Sequence, residues 1–165
     1  MFDKLRLKDA LTQYKQNFVA DQYLWWREEK FKWEAVRWFQ DNWDVNAPDF
    51  ADMLKRSLDR TYNLLASNSN YPRGMIVEFA KFAPEKVRRM FISLFDESKD
   101  VFERMDAFKQ QSSDLLKEYG NGAAQHYQTE NAISTYHGLW TMVQIRFCRL
   151  CRAISCSKAE PTVQY

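Results

Sequence analysis

A chain of 165 residues is long enough to bury a sizeable core as one domain, and 45% hydrophobic with 16% aromatic residues excludes a disordered polypeptide. Four Gly and four Pro are too few to punctuate many short strands, which favours long helices. Residues 1–140 carry 20 Lys and Arg against 21 Asp and Glu, so this body has no net basic footprint for nucleic acid and only a local patch could supply one.

The first predicted element runs from Asp3 to about Ala20. Leu7, Leu11, Tyr14 and Phe18 are spaced 4, 3 and 4, which draws one apolar stripe along a helix. The second runs from about Leu24 to Trp43 and holds five of the six tryptophans, interleaved with charges of both signs. Phe31, Ala35, Trp38 and Phe39 share a face that Val36 and Trp43 widen, while Trp33 projects to the opposite side. So wide an apolar arc suits a central helix touched by several others. Asn42 to Pro48 breaks the pattern.

Asn46 or Asp49 can cap the third helix. There Phe50, Met53, Leu54, Leu58, Thr61, Leu64 and Leu65 keep a 3–4 rhythm that predicts one unbroken helix up to the Ser67–Gly74 loop. A short helix follows over Met75–Phe82. Pro84 opens the next, with Val87, Met90, Phe91, Leu94 and Phe95 as its apolar face. Ser98 can cap a further helix carrying Val101, Phe102, Met105, Phe108, Leu115, Leu116 and Tyr119, which Gly120-Asn121-Gly122 ends. Asn131 can cap the last, through Ile133, Tyr136 and Trp140. Beyond it the character changes: residues 141–165 are basic, irregular in pattern, and hold all three cysteines.

No chemistry-bearing motif is present. There is no phosphate-binding glycine loop, no nucleophile elbow and no metal-binding histidine pair on a helix. His126 and His137 stand 11 residues apart, about 16 Å along a continuous helix, too far to share a metal. Cys148, Cys151 and Cys156 fall one ligand short of a structural zinc site, so they are read as free thiols. A body without cysteine fits a reducing compartment, no apolar run approaches a membrane span, and the N-terminus lacks a signal peptide's apolar core. The expectation is a cytoplasmic protein that engages no membrane.

The tryptophans admit two roles. They are core, each ring burying on the order of 200 Å². Alternatively, one or two stay exposed beside cations, where an aromatic face can stack on an unpaired or flipped base. Trp25 and Trp26 are adjacent and cannot both lie on one narrow stripe. The candidate stacking and basic surface is therefore Trp25, Trp26 and Trp33 with Arg27, Lys30 and Arg37. If all three rings are buried, the stacking role loses its physical basis.

Several stretches together carry a resemblance: Lys32–Asp44 (KWEAVRWFQDNWD), Ser57–Ser67 (SLDRTYNLLAS), Pro72–Ala80 (PRGMIVEFA), Met90–Ser98 (MFISLFDES) and His126–Tyr136 (HYQTENAISTY). Over about residues 1–140 the chain resembles the N-terminal region of bacterial McrB-type AAA+ motor proteins, the nucleotide-driven subunits of modification-dependent restriction systems. The resemblance implies a helical accessory module preceding a motor domain whose phosphate-binding loop is absent here. No functional residue transfers from it. It ends at Trp140, where relatives continue with a Pro-Asp-Lys-Tyr-Tyr-type segment, so residues 141–165 are expected to be an aberrant or poorly ordered extension.

The expectation is an all-α single domain of about six helices around a Trp-rich central helix. Its expected function is non-catalytic recognition or scaffolding in a restriction-type AAA+ protein, with modified or unpaired DNA as ligand. The alternative is a pure protein-interaction domain that docks a nuclease or motor subunit. No enzyme activity, cofactor or metal site is expected.

Overall fold

The computed structural model describes residues 4–19, 24–66 and 71–141, with side chains over 5–13, 16, 29–66 and 71–141. Among these residues the chain is helical throughout, with no strand. The elements are α1 (Lys4–Val19), α2 (Leu24–Asn42), α3 (Phe50–Ser57), a 3-10 helix (Asp59–Leu64), α4 (Pro72–Phe82), α5 (Pro84–Phe95), α6 (Val101–Tyr119) and α7 (Glu130–Thr141). The all-α class is as expected, in eight helical segments rather than about six. The cysteines and the extension beyond Thr141 lie outside the described residues.

Lys32–Val143 forms one compact unit. In the remaining unit, the described residues are α1 and the start of α2. On α1, Leu7 and Leu11 of the expected stripe are both exposed.

Element boundaries in the main unit follow from local chemistry. The Asp49 carboxylate accepts the Asp52 N–H at 3.0 Å and so caps α3, as expected. Pro84 stops α4 and starts α5, because it keeps Ala83 out of the α region (φ −139°, ψ 62°) and needs no N–H partner at a first helical position. Pro72 opens α4 in the same way, three residues before the expected Met75. Asp100, not Ser98, caps α6: its carboxylate accepts from Phe102 N–H at 2.8 Å and Glu103 N–H at 3.3 Å. Ser98 instead donates to Asp96 in the preceding turn at 2.6 Å. The Thr129 hydroxyl takes the Ala132 N–H at the head of α7, the role expected of Asn131.

The third predicted helix is broken. After Ser57 the chain tightens into the 3-10 helix, and Tyr62 inside it takes φ 39°, ψ −123°. Two effects compete with α-helix there. The Ser57 and Thr61 hydroxyls bond back to the carbonyls of Met53 and Leu58. From outside, the Arg73 guanidinium reaches the Leu58 and Asp59 carbonyls at 3.4 and 3.1 Å, which satisfies acceptors that an ended helix leaves open.

The core is aromatic. Phe91 on α5 has ring centroids of Trp43, Phe108, Tyr136 and Phe95 at 5.3, 5.3, 5.4 and 5.7 Å. Trp43 stacks on Phe39 and meets Phe50 edge-on, while Phe95 stacks on Trp140 at 4.9 Å. The helix touched by several others is α5, which packs against α3, α4, α6 and α7, and not the Trp-rich α2 that was expected to be central. Each fully buried Phe or Leu adds about 1.5–3 kcal/mol. Gln128, fully buried, ties the head of α4 to α7: its amide donates to the Pro72 carbonyl at 2.8 Å and accepts the Tyr136 hydroxyl at 3.0 Å. No helix of the described residues is long and apolar enough to cross a membrane.

Candidate aromatic and basic surface on the second helix

Helix α2 turns Ala35 and Phe39 into the core and leaves its opposite side in solvent. Helical geometry sets the division. Residues 35, 39 and 43 stand one turn apart on the inner face, whereas 33, 37 and 41 stand one turn apart on the outer one. Trp33 is 43% exposed there, so one ring of the expected three is accessible. One turn on, Arg37 is exposed, with its guanidinium 3.7 Å from the Asp41 carboxylate. Lys30, in the other unit, is exposed as well. Trp25, Trp26 and Arg27 fall on the first turn of α2, and their side chains lie outside the described residues.

Trp38 sits at the edge of this outer face. Its indole N–H donates to the Arg56 carbonyl at 2.8 Å, which fixes the ring against the end of α3. The Arg60 guanidinium lies over that ring at 4.9 Å from the centroid, a cation–π arrangement. Glu34, Arg37, Trp38, Asp41 and Arg60 line a shallow groove of about 280 Å³. At Arg60 it meets a second hollow lined by Asp59, Tyr62, Asn63, Ala66 and Arg73.

The electrostatics are mixed. Arg37 has Asp41, Arg56 has Asp52 at 3.1 Å, and Arg73 has Asp59 at 3.9 Å. These exposed pairs are each worth little and are readily exchanged for a ligand's anion. The surface can therefore offer an indole face and guanidinium groups, but no steep positive field.

The apolar spacing of α2 puts Trp38 on the core face and gives no sign of Arg60 beside it. The two are 22 residues apart, and the 3-10 helix that carries Arg60 to the ring has no periodic signature. Neither histidine forms a catalytic pair among the described residues. His137 faces Arg104, and His126 accepts a backbone N–H. No group of three or more His, Cys, Asp or Glu among the described residues is placed to hold a metal ion. No family model, no curated protein and no solved structure matches this chain.

Proposed function

We propose that this chain is a non-catalytic recognition module of a modification-dependent restriction system of the McrB type, in which α2 is the ligand-bearing helix. The observation that carries the reading is Trp33, an exposed large ring one helical turn from Arg37, which itself lines the groove that reaches Arg60. An indole face stacks on an unpaired or flipped base, and the guanidinium groups take flanking phosphates. The family resemblance of residues 1–140 supplies the DNA context.

Titration of the full chain with methylated and unmodified single-stranded and duplex oligonucleotides, followed by tryptophan fluorescence, tests it. Quenching should depend on modification or strand state. Trp33→Ala should weaken binding roughly 5- to 150-fold, the range of one stacked base. With Arg37 and Arg60 as the phosphate contacts, the slope of log affinity against log salt should be about −1.4 for a single strand.

A second reading has its own observation. Phe102 on α6 is 73% exposed and Ile92 on α5 is 51% exposed, apolar surface of the kind that interaction domains carry. An absence of any oligonucleotide response, together with capture of a nuclease or motor subunit that Phe102→Glu abolishes, would transfer the function to protein docking.

A further inference from the structure

The chain has two histidines, and both stand at the attachment of α7. His137 lies on α7 with Nε2 at 3.3 Å from a terminal guanidinium nitrogen of Arg104 on α6. Arginine has no acceptor, so Nε2 must carry the lone pair and the proton must sit on Nδ1. Arg104 is itself buried, and its remaining bonds go to main-chain carbonyls, Leu94 at 2.6 Å and Asp100 at 3.4 Å. His126 lies in the loop that leads into α7, and its Nδ1 accepts the Gln128 N–H at 2.9 Å. A backbone N–H cannot accept either, so this ring must be the Nε2–H tautomer. Gln128 is the buried side chain that ties α7 to the head of α4.

We propose that α7 is fastened by an acid-sensitive latch, in which His137 on the helix and His126 in the loop before it serve only as hydrogen-bond acceptors, so that proton uptake frees α7 from Arg104 of α6 and opens the loop turn at Gln128 that leads into it. Protonation of either ring turns an acceptor into a donor that faces another donor. The surrounding charges reinforce this. Burial, and then Lys109 of α6, hold His126 below the ordinary histidine value. Burial, and then Arg104, hold His137 below it, against a smaller opposing pull from Glu97 in the α5–α6 turn. The carboxylate of Glu130 on α7 is engaged with Lys109. Both rings thus bind protons more weakly in place than in a released α7. The attachment is complete above the free-histidine value near 6.5 and is lost progressively as pH falls below it, down through the lowered values of the rings in place.

Two measurements on the full chain test the latch. At pH 7.5, nitrogen-detected NMR of the rings should show His126 as the Nε2–H tautomer and His137 as the Nδ1–H tautomer. Between pH 7.5 and 5.5, amide-exchange protection in α7, corrected for intrinsic rate, should fall by up to about tenfold per ring, or ~100-fold together, relative to α5. The double variant His126→Asn, His137→Gln keeps an acceptor near each position without a titrating ring, and its α7 protection should be nearly flat over the same range. The opposite tautomer at either ring overturns the proposal on the wild-type chain alone. So does equal loss of protection in α5 and α7, or a double variant that loses α7 protection as the wild type does.

Discussion

Arg88 shows how much one side chain can hold in this protein. It projects from α5 with its guanidinium over the Phe50 ring at 4.7 Å, donates to the carbonyls of Val45 and Ala47, and is backed by Glu85 at 3.1 Å. It thereby closes the loop between α2 and α3 while its side chain is only 15% exposed. Arg88→Met keeps the apolar stem but strands two half-buried acceptors, and should cost about 1–3 kcal/mol in urea unfolding. Arg88→Lys should recover little, because a single ammonium cannot reproduce the planar fork. Tyr62 argues in the other direction. Its φ of 39° is costly for a side chain with a Cβ, and half of the residue is exposed. Tyr62→Gly should therefore raise stability by about 0.5–1 kcal/mol, visible as a higher urea midpoint with an unchanged slope. Loss of stability on that change would show that contacts of the Tyr62 ring outweigh the backbone strain. Neither role can be read from the sequence, since an arginine in the stripe of α5 and a tyrosine in the middle of a helical rhythm look like ordinary surface positions until distant carbonyls are placed beside them.

Helix ends were legible where the chemistry is local and obscure where it is not. Pro84 and the Asp49 cap act within four residues, so their effect can be read directly from the chain, whereas Pro72 lies in a Ser- and Asn-rich stretch that reads as loop and hides the start of α4. The break after Ser57 depends on Arg73, 15 residues beyond the Leu58 carbonyl it reaches, and the even spacing of Leu58, Thr61, Leu64 and Leu65 conceals it. At α6 two residues compete to be the cap, and mutation separates them. Asp100→Ala removes the acceptor of two first-turn N–H groups and should cost about 1 kcal/mol. Ser98→Ala removes only a turn contact to Asp96 and should stay within about 0.5 kcal/mol. Equal costs in urea unfolding would mean that the turn over 96–99, and not the cap, sets where α6 begins.

At the scale of the molecule, periodicity places Ala35 and Phe39 on the core face of α2 and turns Trp33 outward, because both depend only on helical angle, but it puts Trp38 on the core face as well, where the structure has it at the edge of the outer one. It did not locate the Trp38–Arg60 pair or the Gln128 tie, which join segments 22 and 56 residues apart. The same distribution of contacts makes a claim about autonomy. Among the described residues every buried apolar side chain lies between Ala35 and Leu139, inside the contact unit Lys32–Val143. The Phe91 cluster and the ties made by Arg88, Arg104 and Gln128 also lie wholly within it. A fragment of residues 32–143 should therefore fold alone and unfold in urea in one cooperative step, with a slope of about 1–2 kcal/mol/M. Its cost relative to the full chain should be confined to the new, uncapped start of α2, on the order of 1 kcal/mol. A broad transition, or dye binding typical of a loosely packed core, would show that residues 1–31 contribute to the core. If the fragment folds, it retains Trp33, Arg37 and Arg60 and loses Trp25, Trp26, Arg27 and Lys30. Oligonucleotide titration of the fragment against the full chain then divides the candidate surface into its two parts: undiminished binding assigns recognition to Trp33 and the Arg37–Arg60 groove, and abolished binding assigns it to the first turns of α2.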